Sequence, residues 1–213
     1  MALMNDVYSY IENNYQPNEP IFLSELNIPG MKAVSVRQQM KKLTESGKLK
    51  RFDAGIYYIP KKSMFRSGST LSVDEVIRKK YLSDGGKCCG YVGGILFANQ
   101  LGLTTQVPGV YEIYTNKATT EYRETQLASL RVILRKPYCA IDEKNAATLQ
   151  FLDLLKEIVD ISEVDGEELT NLLIGYMKKK SIGFESMRPF LPYYPERIYK
   201  NMYEVGLLNG VSA

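Results

Sequence analysis

The hydrophobic period of the chain changes at Gly47, and this change limits the folds open to the N-terminal part of the sequence. Before Gly47, the apolar residues Val36, Met40 and Leu43 recur at the i, i+4 and i+7 spacing of one helix face. After it, β-branched and aromatic runs flank a loop that ends in Gly55, a residue able to adopt the left-handed conformation of a tight hairpin. The sequence therefore predicts a helix that Gly47 ends, followed directly by a β-hairpin.

Two shorter helices are predicted upstream of this pair. A first helix, capped by Asn5, is predicted to end near residue 14, and the segment 22–26 is predicted to form a second. A Pro-Gly turn then leads into the third helix, predicted over residues 33–45. With the hairpin added, residues 1–66 are predicted to form a winged helix-turn-helix, a fold whose recognition helix enters the major groove of DNA.

Basic residues are concentrated around these elements. Residues 32–66 contain ten basic and two acidic side chains, a formal charge of +8, whereas residues 67–213 have a net charge of −1. A local positive block is typical of a surface that binds a polyanion, and the predicted fold favours double-stranded DNA. We expect contacts with phosphates and base edges from the following residues: Ser35, Arg37, Gln38, Lys41, Lys42, Lys48, Lys50, Arg51, Lys61 and Lys62.

Two other interpretations of the basic residues stay open. A lysine-rich helix face is often only solvated. Winged helices also dock proteins, so the fold by itself does not establish DNA binding. If the partner is DNA, we expect two copies, or two contacts, on an inverted repeat.

A second domain of mixed α and β structure is predicted over residues 67–213, after a polar linker near 64–70. A capping box at Ser72 and Glu75 opens a helix to about Leu82. Further elements follow in chain order: a buried helix over 91–101, strands over 110–114 and 129–134, a short strand near 121–123, and three helices after about residue 142. The predicted fold class of the whole chain is therefore α+β.

The residues needed for most enzyme classes are missing. The chain has no histidine, which removes catalysis by serine or cysteine paired with histidine, and the usual zinc enzymes. A metal-dependent nuclease built on Asp84 and Glu112 is the remaining enzyme candidate, but Tyr114 stands where such a site needs a lysine. We therefore expect no enzyme activity, no cofactor and no metal.

Cysteine usage and hydropathy predict a cytoplasmic protein without a membrane partner. Cys88, Cys89 and Cys139 do not have the spacing of metal ligands, which suits a reducing compartment. No apolar run approaches the ~20 residues that span a bilayer, and the N-terminus lacks the pattern of a signal peptide. A second basic run, Lys178 to Lys180, is expected to be the solvated end of a helix, with an acidic partner or DNA as the alternative.

Two segments resemble the AbiEi-type antitoxins of bacterial type IV toxin–antitoxin systems, which act in abortive infection. Gly47 to Pro60 is similar to the wing of that family. Tyr91 to Pro108 is similar to the opening of its second domain, with a tyrosine, a helix of small residues and a Leu-Gly-Leu-Thr turn. A strand over 110–115 follows at the place that the family predicts. The resemblance extends over about residues 5–135.

This resemblance implies a repressor with two functions. Its winged-helix domain would bind the operator of its own operon, and its second domain would counter a nucleotidyltransferase-like toxin without forming a stable complex with it. The basic residues of the wing and of the third helix match the family's DNA-binding surface. The family has no catalytic residue to carry over.

Overall fold

The computed structural model describes residues 7–61 and 69–208 and has a mixed α+β fold. The chain divides into two compact units, residues 1–80 and 81–213. Within the described ranges, no helix combines the length and the apolar character needed to cross a membrane. The predicted cap at Asn5, Lys62 and most of the predicted linker lie outside the described residues.

The first unit combines helices with a small antiparallel sheet. Its elements are α1 (Val7–Asn14), β1 (Ile21–Phe22), α2 (Ala33–Glu45), β2 (Lys50–Asp53), β3 (Ile56–Tyr58) and α3 (Val73–Ile77). Val7 and Ile11 of α1 pack with Val36 and Met40 of α2 in a core that also contains Leu49. This core fixes which face of α2 points to solvent.

The predicted helix over 33–45 is confirmed with the same bounds. Val36 and Met40 are buried, and Leu43 is partly buried against the same core. Gly47 follows the helix with a φ of +74°, and its N–H donates to the Thr44 carbonyl at 3.1 Å. A left-handed residue at this position satisfies a carbonyl that the last helical turn leaves unpaired.

The predicted hairpin is also confirmed, and it belongs to a three-stranded sheet. The strand order is β1-β3-β2, with both pairs antiparallel. Gly55 takes a φ of +73° at the tip, and the Asp53 carboxylate accepts the Ala54 N–H at 2.7 Å. A register shift between Arg51 and Asp53 marks a bulge before the tip.

The predicted second helix over 22–26 is wrong. Phe22 pairs with Ile56 as the last residue of β1, and a turn follows it. The Leu23 N–H donates to the Gly55 carbonyl at 2.8 Å. Pairing with β3 therefore satisfies backbone groups that a helix would use, and it buries both Ile21 and Phe22.

The helix predicted from Ser72 begins there but is capped differently. The Ser72 hydroxyl accepts the Asp74 N–H at 3.2 Å, whereas the Glu75 carboxylate pairs with Arg78 at 2.5 Å and does not close a capping box. The chain continues from α3 through a π-helical turn, Arg78–Leu82. The first compact unit ends at residue 80 and therefore includes α3.

The second unit contains a hairpin, a four-stranded sheet and a helical segment. Its strands are β4 (Ser83–Asp84), β5 (Lys87–Cys88), β6 (Gly90–Gly93), β7 (Val110–Thr115), β8 (Tyr122–Leu127) and β9 (Leu130–Arg135). Its helices are α4 (Gly94–Gln100), α5 (Ala146–Ile161), α6 (Gly166–Lys180), α7 (Phe184–Met187) and α8 (Arg197–Glu204). The strand order of the four-stranded sheet is β6-β7-β9-β8. The β7–β9 pair is parallel, and the other pairs are antiparallel.

The second unit differs from the sequence prediction mainly before α4. Residues 90–93 form a strand paired with β7, so the predicted helix over 91–101 begins only at Gly94. A Cβ atom at Gly90 would lie 2.7 Å from the Tyr114 carbonyl oxygen, so the glycine permits close approach of the two backbones. The strands predicted over 110–114, 121–123 and 129–134 and the helices predicted after about 142 are present, and α7 is an additional short helix.

Candidate nucleic-acid interface

The face of α2 opposite the core carries most of the predicted DNA-binding residues of this helix. Arg37, Gln38, Lys41 and Lys42 are exposed. The Lys41 ammonium lies 3.8 Å from the Glu45 carboxylate, with both side chains largely in solvent. Such an exposed pair contributes little stability. The helix therefore presents four polar or basic side chains from a rigid backbone.

The solvent exposure of two α2 residues, Ser35 and Val34, differs from the sequence prediction. Ser35 is half-buried on the flank of α2, so it is less accessible than the other predicted residues. Val34, which the sequence prediction omits, is 62% exposed in the first turn of the helix. It lies one turn before Gln38, on the same outward face. The sequence signal for this exposure is spacing, because Arg37 and Gln38 follow Val34 by three and four residues on the same helix face.

The hairpin places its basic residues on both sides of an edge strand. Lys50 pairs with Tyr58 and Arg51 pairs with Tyr57 across β2 and β3, so the two basic side chains point to opposite faces of the sheet. The Arg51 Nε–H donates to the Asp53 carbonyl at 3.2 Å, which holds this exposed side chain close to the strand. The two residues therefore do not form one continuous basic patch on a single face.

Lys48 and Lys61 flank the hairpin. The Lys48 ammonium lies 4.5 Å from the ring centroid of Tyr8 on α1, a cation–π contact at an exposed site. The Lys61 N–H donates to the Ser69 hydroxyl at 2.8 Å and to the Asn18 side chain at 3.3 Å. This backbone anchoring leaves the Lys61 side chain exposed.

A cleft of about 340 Å³ joins α2 to the tip of the hairpin. Arg37 lines it from the helix, and Ala54 and Gly55 line it from the tip. Leu23 and Ser24, in the turn that replaces the predicted helix, complete one wall. The structure therefore brings the helix and hairpin together as one concave surface, a relation that sequence spacing does not determine.

The carboxylates of the enzyme candidate have separate basic partners. Asp84 lies in the β4–β5 hairpin, 78% exposed and 3.7 Å from the Lys117 ammonium. Glu112, on β7, pairs with Arg135 and accepts a hydrogen bond from Tyr114 at 3.3 Å. Across residues 7–61 and 69–208, no group of three or more potential acidic or cysteine ligands could hold a metal ion.

The three cysteines are free thiols. Burial raises the pKa of Cys89 and of Cys139, which favours the protonated and less nucleophilic form. The basic run Lys178 to Lys180 is exposed in the last turn of α6, where positive charge complements the helix dipole.

No protein-family model matches the chain, and comparisons with curated proteins and with solved structures find no match either.

Proposed function

We propose that this protein is a winged-helix DNA-binding repressor that acts on its own operon. In this proposal α2 enters the major groove and the β2–β3 hairpin contacts the adjacent phosphate backbone. The observation that carries the proposal is the shared cleft, in which exposed Arg37 of α2 faces the hairpin tip. Because Arg37 and the hairpin tip line one concave surface, a DNA backbone can contact both elements at the same time.

The sheet topology supports the winged-helix interpretation. A strand before α2 pairs with the second strand of the hairpin, so the hairpin is fixed against the helical core. A turn replaces the helix that usually precedes the recognition helix. The parts that would touch DNA, α2 and the hairpin, are both present.

The contacting residues divide into two groups by chemistry. Arg37 and Gln38 can make bidentate contacts, Arg37 with guanine and Gln38 with adenine, and each good pair provides about 1–3 kcal/mol of discrimination between bases. The lysines contact phosphates and contribute affinity that falls with salt concentration, with little preference for sequence. Specificity should therefore reside in Arg37 and Gln38, and general affinity in the lysines of α2 and of the hairpin.

The antitoxin role is the further part of the proposal. It rests on the similarity of the wing and of the segment over 91–108 to AbiEi-type antitoxins. In this role the second unit would counter a nucleotidyltransferase-like toxin without a stable complex, while the first unit limits expression of both genes. Co-expression with the product of the adjacent gene tests this part: rescue of growth supports it, and continued growth arrest contradicts it.

The DNA-binding proposal is tested by fluorescence anisotropy with DNA from upstream of the protein's own gene. A scrambled duplex of the same composition serves as the control DNA, and each titration is repeated at two salt concentrations. We expect the native sequence to bind about 10³-fold or more tightly than the scrambled one. Negligible binding to both duplexes at low salt would contradict the proposal and favour a protein-docking role.

Variants separate specific from general contacts. Arg37→Ala should reduce affinity for the native duplex far more than for the scrambled one, whereas Lys50→Ala should weaken both about equally and make the salt slope shallower by about 0.9. Lys200→Ala is a matched control, since this exposed lysine of α8 forms an ion pair with Glu204 at 3.5 Å. Equal losses on both duplexes for both test variants would contradict the assignment of α2 as the recognition helix.

A further inference from the structure

The second unit contains a polar cavity of about 240 Å³ that the proposed DNA binding does not use. Its floor is a row across the sheet, in which Arg135 of β9 lies between Tyr122 of β8 and Tyr114 of β7 in register. Lys136 and Tyr138, which follow β9, and Lys156 of α5 form its walls. Aromatic surface and positive charge therefore meet in one concave site.

A buried ionic network lies beneath the cavity. The side chain of Asp153 is 2% exposed and that of Lys156 is 10% exposed, with 3.2 Å between the carboxylate and the ammonium. The Asp153 carboxylate also accepts hydrogen bonds from Tyr91 at 2.5 Å and from Tyr194 at 3.4 Å. Lys156 donates to the Tyr114 hydroxyl at 3.1 Å. These contacts fix the position of the Lys156 ammonium at the cavity wall.

Such a network is a costly way to fill a core. Desolvating two charges offsets much of their attraction, and a well-packed apolar pair of similar volume is often as stable. Burial raises the pKa of Asp153, against the opposing influence of the Lys156 charge. A buried charged network that borders an open cavity is a frequent feature of binding sites.

The cavity's cations differ in how firmly their carboxylate partners are held. Glu112, which pairs with Arg135, has a side chain only 16% exposed, and Asp153 is buried beside Lys156. The Lys136–Glu121 pair is different, since its side chains are 55% and 82% exposed and lie 3.4 Å apart. Glu121 is therefore the carboxylate that a ligand can most easily displace.

The aromatic residues determine the shape of the expected ligand. Tyr138 is 46% exposed, and its ring is supported by the Tyr194 ring at a centroid distance of 4.7 Å. Tyr122 is 48% exposed and lies 5.5 Å from the Arg135 guanidinium. A planar ring bound in this cavity can contact Tyr138 while an attached anionic group reaches Arg135 and Lys136.

We propose that this cavity binds a small planar aromatic carboxylate with a single ring. The ring packs against Tyr138, and the carboxylate replaces that of Glu121 at Lys136 and receives further hydrogen bonds from the terminal nitrogens of Arg135. A monoanion fits best because Arg135 and Lys156 already have carboxylate partners of their own. The volume of the cavity suits one ring rather than a complete nucleotide.

The test is a direct titration of the full chain with salicylate. Because the chain has no tryptophan, salicylate fluorescence can be excited beyond the tyrosine band and followed without background from the protein. We expect saturable binding of one equivalent. Acetate tests the need for the ring, and a nucleoside 5′-monophosphate tests the preference for a single charge and a single ring.

Charge variants at exposed positions test the geometry without disturbing the core. Lys136→Gln should weaken salicylate binding about tenfold through loss of a charge-assisted hydrogen bond. Glu121→Gln should tighten binding by up to about fivefold, because it removes the competing carboxylate of an exposed pair. Lys200→Gln, with a similarly exposed ion pair in α8, should leave binding unchanged.

Several outcomes would overturn the proposal. They are absence of saturable salicylate binding, equal affinity for acetate, and tighter binding of the nucleoside monophosphate. Unchanged affinity in both Lys136→Gln and Glu121→Gln would show that salicylate binds elsewhere. Circular dichroism of each variant confirms the folded state, so a loss of binding is not mistaken for unfolding.

Discussion

Replacing Lys156 with methionine should destabilise the protein in a way that depends on pH. Methionine has a similar length and fills the same space, so the change removes mainly the charge and its hydrogen-bonding N–H groups. The Asp153 carboxylate would lose its ion pair at 3.2 Å while its side chain stays 2% exposed. Tyr114 would lose a donor at 3.1 Å.

The expected magnitude follows from leaving a buried charge without its counter-charge. Breaking a buried ion pair by removing one partner costs about 3–5 kcal/mol of unfolding free energy. Asp153 keeps its hydrogen bonds from Tyr91 and Tyr194, and these continue to stabilise its ionised form. We therefore expect a loss near the lower limit, about 3 kcal/mol, at neutral pH.

The pH dependence has a defined sign. Burial raises the pKa of Asp153 in the folded protein, and the Lys156 charge is the largest influence that lowers it. Removing that charge raises the pKa of Asp153 further. A raised folded-state pKa means that the folded protein binds this proton more tightly than the unfolded chain does. The associated stability is complete below the unfolded pKa and is lost as pH rises through the folded pKa.

The destabilisation in Lys156→Met should therefore be greatest at pH 7–8 and smaller in mildly acidic buffer. It should decrease by up to about 1.4 kcal/mol for each unit that the pH falls between the folded-state pKa of Asp153 in the variant and its lower folded-state pKa in the native protein. The neighbouring Glu157 carboxylate also approaches Lys156, at 3.6 Å, and it acts in the same direction because its charge raises the pKa of Asp153.

Urea unfolding followed by circular dichroism at a series of pH values measures this effect. Lys200→Met is the matched control, since its side chain is 74% exposed, and it should change stability by less than about 0.5 kcal/mol at every pH. The double variant Asp153→Asn with Lys156→Met should recover part of the loss, because no buried charge remains. A loss below about 1 kcal/mol, or one that does not change with pH, would refute the assignment of Asp153 and Lys156 as a coupled buried pair.

Two further predictions concern a base contact and a close backbone approach. Val34→Ala should weaken binding to the native duplex about fourfold through loss of methyl contact with a thymine. Replacing that thymine with deoxyuridine should weaken binding of the native protein by the same factor and should not weaken binding of the variant further. If the losses from the two changes add, the contact is contradicted. Gly90→Ala should destabilise the protein by about 1–3 kcal/mol, because its Cβ would lie 2.7 Å from the Tyr81 and Tyr114 carbonyl oxygens. Gly175→Ala, a control within α6 with no atom near the added Cβ, should raise stability by up to about 1 kcal/mol in the same thermal unfolding assay.

Local sequence signals were sufficient to predict the elements whose backbone hydrogen bonds form within one segment of the chain. The helix over 33–45 has an apolar stripe and is followed by Gly47, and its bounds match the prediction because both signals lie in the helix or directly after it. The hairpin after it is determined by Gly55 and by the β-branched and aromatic runs on both sides of the loop. The α+β class follows from the order of such elements.

Two segments departed from prediction because distant strands satisfy their backbones. Residues 21–22 pair with β3, and residues 90–93 pair with β7. Their helical appearance came from short apolar runs, which strands and helices share. The choice between the two structures depends on a partner strand whose paired residues lie at least 19 positions away in the sequence.

The residues of the two candidate sites were predictable to different degrees. The sequence alone determined the basic block, the recognition-helix candidates on α2 and the hairpin, since periodicity assigns the outward face of an amphipathic helix. Only the tertiary structure placed Arg37 beside the hairpin tip, moved Ser35 to a half-buried flank and exposed Val34. Only the tertiary structure joined Asp153 and Lys156 to tyrosines from a distant sheet. The physical reason is that charge and hydrophobic periodicity are properties of one segment of sequence. Burial and long-range hydrogen bonding depend on which segments pack together.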